Sequence, residues 1–208
     1  MDFSNIRFPK HQLLKSTNRH WDSLSNEGKR MHLQEWENFW ARLHGRPPCE
    51  VQFTRIHLKN NESGGLDRDS GVIYIHFDSD YYEKLKTLFH ESRHAYQWEV
   101  VCGRIKHDNA EEVEKWKREF ATGNNNPVEH ARRSVEKDAY RFEEDVLDEL
   151  WTQRAPLLTG REEKDEKLFR AMAKQKPLAE NIEERAGNPL VYSQKQTKIP
   201  LRIQPTIR

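Results

Sequence analysis

The 208-residue chain has only two cysteines, Cys49 and Cys102, and it has no long hydrophobic run. Two thiols do not make a disulfide framework, so a reducing compartment fits this composition, although one bridge is possible. No apolar run is long enough to span a membrane, and a polar stretch follows Met1 where a secretory signal would be apolar. We therefore expect a cytoplasmic protein. An effector exported by a non-classical route would share these features.

The chain also lacks an excess of charge of either sign. Its 35 Lys and Arg residues balance 34 Asp and Glu residues, which leaves a formal net charge of +1. A dedicated nucleic-acid binder carries a surplus of basic residues, so we expect no nucleic-acid partner. Because charged residues make up 33% of the chain and hydrophobic residues 35%, we predict a modest core, long surface helices and at least one loose end.

The clearest chemical signature of the chain is the sequence HESRH at residues 90–94. This is the pattern H-E-x-x-H, whose two histidines lie one helical turn apart, so both imidazoles leave the same face of a helix. That spacing suits two ligands of one tetrahedral zinc ion, and Glu91 is placed to deprotonate a water that the metal holds. A metal here would make the chain a hydrolase, most simply a peptidase. Ordinary surface or core histidines are the alternative interpretation.

The residues around this motif favour a helix. No glycine or proline interrupts residues 79–101, and an apolar stripe runs beside the two histidines. Residues 71–78, which precede the helix, are rich in β-branched and aromatic side chains and predict a strand. A strand, a short turn and a ligand helix are the order that a zinc peptidase core requires. The stripe consists of Leu85, Leu88, Phe89, Ala95 and Tyr96.

A catalytic zinc ion needs three protein ligands and one open position, so a third ligand must come from elsewhere in the chain. The extended pattern H-E-x-x-H-x-x-G-x-x-H fails, because Gln97 and Val100 occupy the positions of its glycine and third histidine. The best source is a helix predicted over residues 127–151, whose apolar stripe is flanked by carboxylates. Helical geometry alone does not choose among them, and each also suits a solvated helix face. These carboxylates are Glu129, Glu136, Asp138 and Glu143.

Residues 136–142 resemble the Glu-x-x-Ala-x-x-Phe helix that follows H-E-x-x-H in gluzincin-like metallopeptidases of bacteria, phages and mobile elements. That group includes repressor-cleaving peptidases and the metallopeptidase domains of polymorphic toxins. The resemblance covers roughly the middle third of the chain. It implies that His90, His94 and Glu136 are the metal ligands, and that Glu91 is the general base.

Two assignments keep alternatives. His107 and Asp108 lie thirteen and fourteen residues beyond His94 and are the second choice for the third ligand. The donor that would stabilise a developing oxyanion is also undecided, and surface exposure or packing is the other interpretation of every candidate. The candidate donors are Tyr140, His130, Tyr96 and Arg93.

Together these features predict an α+β, zincin-like fold, in which a small, mostly antiparallel sheet packs on helices. Zinc would lie between the H-E-x-x-H helix and the helix over residues 127–151. We divide the chain into an extended lead-in over residues 1–20, a metallopeptidase domain over residues 21–155, and a charged helix with a basic extended tail over residues 156–208.

Periodicity predicts the remaining elements of the domain. Apolar residues at helical spacing predict a helix over residues 25–44, and a segment whose charged residues suit exposed faces predicts another over residues 110–121. Alternation predicts a strand over residues 49–58. Residues 59–70 resemble a long hairpin connection between this strand and the next. We place the second strand, residues 71–78, at a sheet edge, where an extended peptide can pair with it by β-addition.

The expected activity is zinc-dependent hydrolysis of a protein or peptide partner, with one zinc ion per chain. Zinc lowers the pKa of its water toward about 7, and Glu91 would take the water proton and pass it to the leaving amine. The alternative is a catalytically inactive binding module on the same scaffold, with zinc structural or absent, which a fourth protein ligand would favour. Hydrolysis of a non-peptide amide is a third possibility. The sequence predicts neither the oligomeric state nor the cleavage preference.

Overall fold

The computed structural model describes residues 3–55, 63–122, 127–158 and 164, without the side chains of Ser4 and of residues 127–129. The described residues form seven α-helices and one three-stranded sheet, which places the chain in the α+β class. The helices are α1 (Lys10–Lys15), α2 (Asn18–Ser23), α3 (Asn26–Leu43), α4 (Tyr81–Val101), α5 (Ala110–Ala121), α6 (Pro127–Arg132) and α7 (Ser134–Arg154). The strands are β1 (Glu50–Thr54), β2 (Gly64–Asp67) and β3 (Val72–His76).

Three of the predicted helices are confirmed, because each combines helical periodicity with a recognisable start. The Ser25 side chain caps α3 by accepting the Gly28 N–H at 3.1 Å. Asp80 caps α4 in the same way through the Glu83 N–H at 2.9 Å. Such caps satisfy N–H groups that have no partner within the helix. The third confirmed helix, α5, has the predicted bounds.

The sheet differs from the prediction in two respects. Its order is β1–β3–β2, with β1 parallel to β3 and β2 antiparallel to it, so the sheet is mixed rather than mostly antiparallel. The predicted edge strand, β3, is the central strand, and it is hydrogen-bonded on both sides. An extended peptide therefore has no free edge of β3 to pair with.

The strand β2 causes both differences, since it forms within residues that we predicted as a loop. It joins β3 through a tight turn in which Gly71 has a φ of +68°, a conformation that glycine adopts without steric penalty. Gly64, at its start, lies so close to α4 that a Cβ there would overlap Thr87 and the Tyr74 carbonyl oxygen. The sheet can approach the helix of the H-E-x-x-H motif because residue 64 has no side chain.

The predicted extended lead-in is also wrong, because α1 and α2 form within or next to it and pack into the main core. Phe8, Leu13 and Trp21 are buried there. The Gln153 side chain of α7 holds this segment through its backbone, at 3.0 Å from the Phe8 N–H. These helices have only six residues each, too few for apolar periodicity to show in the sequence.

The predicted helix over residues 127–151 is interrupted. Arg133 is extended, with φ −65° and ψ 149°, and separates α6 from α7. The Glu119 carboxylate of α5 accepts the Ser134 and Val135 N–H groups at 2.9 and 3.0 Å, so it satisfies the first turn of α7 from a neighbouring helix. A carboxylate at this end also favours the helix dipole. The break starts a new helix just before Glu136.

The core lies between α3, α4 and α7, and α4 packs most extensively against α7. In the described parts of the chain, no helix is both long and apolar enough to cross a membrane. Apart from residues 156–158 and 164, the predicted C-terminal helix and tail lie outside the described residues. The fully buried side chains of this core include Leu33, Trp36, Trp40, Leu85, Leu88, Phe89, Val146 and Leu150.

One buried histidine makes the fold sensitive to acid. His32 of α3 is buried beside Trp21 and Tyr81, and its Nε2 lies 2.9 Å from the Tyr81 hydroxyl. Its Nδ1 has no hydrogen-bond partner among the described residues. Burial, with a smaller contribution from His20, lowers the pKa of His32 to about 4.

We expect His32 to remove about 2 kcal/mol of stability between pH 7.5 and pH 5. The folded state holds the pKa below the unfolded value of about 6.5, so the stabilisation is complete above that pH and is lost as the pH falls toward 4. Urea unfolding at both pH values should show a loss that is about 2 kcal/mol larger in the wild type than in His32→Gln, because buried His44, whose pKa is also lowered, titrates in both proteins. The exposed His11 provides the control, and His11→Gln should behave as the wild type does.

Candidate metal centre

The helices α4 and α7 bring His90, His94 and Glu136 together. The two imidazoles lie one turn apart on α4, with their Nε2 atoms 3.0 Å from each other. Glu136, in the first turn of α7, places Oε2 at 3.2 Å from His90 Nε2 and 3.4 Å from His94 Nε2. Their side chains are 12%, 11% and 5% exposed, in the order of the chain. The structure therefore groups the three residues that the sequence predicted.

The spacing of these three atoms fits a metal ion. In a tetrahedral zinc site with bonds of about 2.0–2.1 Å, neighbouring ligand atoms lie about 3.3–3.4 Å apart. The three separations here, 3.0, 3.2 and 3.4 Å, are close to that edge length. Among the described residues, His90, His94 and Glu136 form a group that could hold a metal ion. A triangle of three ligands leaves one tetrahedral position for another molecule.

The tertiary structure separates Glu136 from the other carboxylates of α7. Asp138 turns toward Arg93, whose Nε and NH2 atoms donate to it at 2.7 and 2.9 Å. Glu143 lies behind His90, with Oε2 at 3.4 Å from Nδ1. Only Glu136 of these three faces the two Nε2 atoms. The side chain of Glu129 lies outside the described residues.

Both histidines have a polar partner behind them. His94 Nδ1 lies 2.8 Å from the Gln97 amide oxygen. His90 Nδ1 faces Glu143, whose other carboxylate oxygen is 3.7 Å from the Lys86 ammonium group. The hydrogen bond from Gln97 can hold the imidazole of His94 so that its second nitrogen faces a metal, whereas the contact between His90 and Glu143 is an ion-pair distance without a hydrogen bond. The sequence did not predict these roles. The spacing of Gln97, three residues after His94, is a signal that could have indicated the first of them.

The electrostatics of the centre favour positive charge. Burial alone would raise the pKa of Glu136, but His94 and His90 hold it well below its usual range. Burial alone would lower the pKa of His90, but Glu136 and Glu143 raise it to about 10. The pKa of His94 is also raised, because Glu136 outweighs the effect of burial. A divalent cation can supply the positive charge that these carboxylates favour.

The predicted general base lies beside the centre. Glu91 follows His90 on α4 and is partly buried. Its negative charge contributes to the raised pKa of both His90 and His94, so its carboxylate lies within electrostatic range of both. The position of Glu91 next to His90 is consistent with the predicted role of general base.

The four candidate oxyanion donors divide into two pairs. Tyr140 packs on His90, with ring centroids 4.6 Å apart, and His130 Nε2 lies 3.3 Å from Glu136 Oε1. Tyr96 and Arg93 direct their polar groups away from the centre. The Tyr96 hydroxyl lies 3.0 Å from a histidine nitrogen outside the group, and Arg93 is held by a carboxylate. Tyr140 and His130 are therefore the candidates that adjoin the ligands.

The second choice for the third ligand is wrong for this centre. His107 is held elsewhere, with Nδ1 at 3.0 Å from the Tyr96 hydroxyl and Nε2 at 3.0 Å from Glu112. Neither His107 nor Asp108 belongs to the metal-binding group found among the described residues. The residue that completes the candidate group is Glu136 of α7, a helix that packs directly against α4.

Comparison of the chain with models of protein families, with curated proteins and with solved structures finds no match. The fold class and the candidate metal-binding group are therefore drawn from the structure itself. A functional assignment must rest on the geometry and chemistry of this centre.

Proposed function

We propose that the chain is a zinc-dependent metallopeptidase with a zincin-like scaffold and one zinc ion, held by His90, His94 and Glu136. The observation that carries the proposal is the close triangle of two imidazole nitrogens and one carboxylate oxygen, with separations of 3.0–3.4 Å. Two nitrogen ligands and one oxygen ligand suit zinc, whereas magnesium and calcium prefer ligand sets made of oxygen. When bound, zinc would supply a Lewis acid that polarises a carbonyl and acidifies a water molecule.

The residues around the triangle support hydrolysis. Glu91 would accept a proton from the attacking water and deliver it to the leaving amine. Glu136 turns Oε2 toward the histidines, while Oε1 lies 3.3 Å from His130 Nε2. Because Oε1 already lies next to His130, Glu136 would bind zinc through Oε2 alone, which leaves room for substrate. His130 and Tyr140 would stabilise negative charge that develops on the substrate oxygen.

Metal content tests this proposal directly. We expect elemental mass spectrometry to find about one zinc ion per purified wild-type chain and to find it lost in His94→Ala and in Glu136→Ala. The control is Glu114→Ala, which removes an exposed carboxylate of α5 and should keep the metal. Circular dichroism of each variant separates metal loss from unfolding.

The other outcomes are equally informative. Zinc retained in Glu136→Ala alone would overturn the third ligand and leave the two histidines in place. A folded wild-type chain that binds no zinc would overturn the metallopeptidase assignment and favour a binding module without enzymatic activity.

A further inference from the structure

Gln97 is a fully buried amide of α4, one turn beyond His94. Its amide nitrogen donates to the Val135 carbonyl oxygen at 2.9 Å and to Asp138 Oδ2 at 2.7 Å. Its amide oxygen lies 2.8 Å from His94 Nδ1. The side chain thus uses its donors toward α7 and its acceptor toward a metal ligand.

These contacts determine which way the amide faces. A carbonyl oxygen and a carboxylate oxygen only accept hydrogen bonds, so the amide nitrogen of Gln97 must face Val135 and Asp138. The reversed amide would place oxygen against oxygen at both positions. The amide oxygen of Gln97 therefore faces His94, and it accepts a hydrogen bond from that residue.

The orientation of the amide determines the tautomer of His94. An amide oxygen cannot donate, so Nδ1 of His94 must carry the proton. In the neutral imidazole, the lone pair is then on Nε2, the atom that lies 3.0 Å from His90 Nε2 and 3.4 Å from Glu136 Oε2. This is the tautomer that binds a metal through Nε2.

The ion pair of Arg93 and Asp138 fixes the amide of Gln97 on the side opposite His94. Asp138 receives two hydrogen bonds from the Arg93 guanidinium group, at 2.7 and 2.9 Å. Arg93 itself is buried, with its guanidinium carbon 4.6 Å from the centre of the Tyr96 ring. The carboxylate cannot rotate away without breaking this bidentate pair, so the acceptor of the Gln97 amide is fixed in place.

We propose that Gln97 is a positioning residue of the metal centre, which fixes the tautomer and ring orientation of His94 through a chain that continues to Asp138 and Arg93. The inference rests on the proposed function only in requiring a metal at the centre. It does not require peptidase activity.

Zinc affinity, measured by competition with a chromogenic chelator, tests this role. Gln97→Met keeps the length of the side chain but removes the acceptor, and we expect it to weaken zinc binding by about 10–100-fold. The matched control is Gln12→Met, since Gln12 is also a buried glutamine but lies on α1, which supplies none of the three candidate ligands. It should bind zinc as the wild type does.

Gln97→Glu separates positioning from stability. Glutamate keeps an oxygen that can face His94, but it places a second carboxylate against Asp138 and an oxygen against the Val135 carbonyl. We expect it to unfold at a lower urea concentration than Gln97→Met and yet to bind zinc more tightly. If Gln97 had only a structural role, the variant that is less stable in urea would also bind zinc more weakly.

Three results would overturn the inference while leaving the metal centre intact. The first is a wild-type zinc affinity in Gln97→Met, and the second is an equal loss of zinc affinity in Gln12→Met. The third is a weaker zinc affinity in whichever of Gln97→Met and Gln97→Glu is the less stable in urea. If Gln97→Glu does not fold, the comparison of Gln97→Met with its control decides. A wild-type chain without zinc affinity would instead refute the metal centre, and this outcome is recognised before any variant is measured.

Discussion

Replacing Glu91 with glutamine is expected to lower peptide hydrolysis by about 10²–10⁴-fold while zinc remains bound. Glutamine has nearly the same shape as glutamate, but its amide cannot accept the proton of the attacking water. Glu91 lies outside the group of three candidate metal ligands, so the metal should stay. The measurement uses a mixture of proteome-derived peptides, with new termini quantified by mass spectrometry and zinc content determined on the same samples.

The control for this prediction is Glu114→Gln on the exposed surface of α5, which should cleave the peptides as the wild type does. Undiminished cleavage by Glu91→Gln would exclude Glu91 as the base. If the zinc-loaded wild type cleaves none of the peptides, the chain is better explained as a binding module.

Replacing Arg46 with methionine is expected to destabilise the fold by about 3–5 kcal/mol. Arg46 forms a bidentate pair with Glu37, at 2.6 and 2.9 Å, and both side chains are completely buried. The variant would leave the Glu37 carboxylate buried without its counter-charge. Arg46 also donates to the Ser92 hydroxyl at 2.6 Å, so it connects α3 to the middle of the H-E-x-x-H motif.

Urea unfolding measures this effect. Adding Glu37→Gln to the variant removes the uncompensated charge. The amide oxygen of the new glutamine can still accept the Cys49 N–H, which lies 2.8 Å from Glu37 Oε1 in the wild type. We expect this second change to restore at least about 1 kcal/mol, a coupling typical of residues in contact. The control is Arg42→Met, at an exposed position of α3, with an expected change within about 0.5 kcal/mol. If Arg46→Met destabilised the fold no more than the control Arg42→Met does, the buried pair of Arg46 and Glu37 would not be essential to the fold.

The long helices were predictable because their signals are local. Apolar periodicity and a capping side chain are enough to indicate α3 and α4. In contrast, β2 begins with two glycines and has no β-branched residue, so nothing in its sequence indicates a strand. It forms because β3 supplies hydrogen bonds and because Gly64 fits against Thr87. Because β2 reverses the chain before β3, β3 runs parallel to β1, and the sheet is mixed.

The start of α7 shows the same distinction. Apolar periodicity continues across Arg133, so the sequence predicts one uninterrupted helix. The hydrogen bonds that stabilise the break come from Glu119, on another helix, and such a contact has no local signal. Only the folded chain could therefore decide where α7 begins and how Glu136 is presented.

At the metal centre, the sequence by itself determined that His90 and His94 share one face, because an i, i+4 spacing on a helix has only one geometry. It also placed four carboxylates on the following helical segment, without a geometric reason to choose one of them. Among the three whose side chains the structure describes, the tertiary structure selects Glu136, because the packing of α7 on α4 turns it toward both Nε2 atoms. The same packing places Gln97 against Val135 and Asp138, which orients the amide behind His94. Local periodicity specifies a helix face, whereas the partner of that face depends on contacts between residues far apart in the chain.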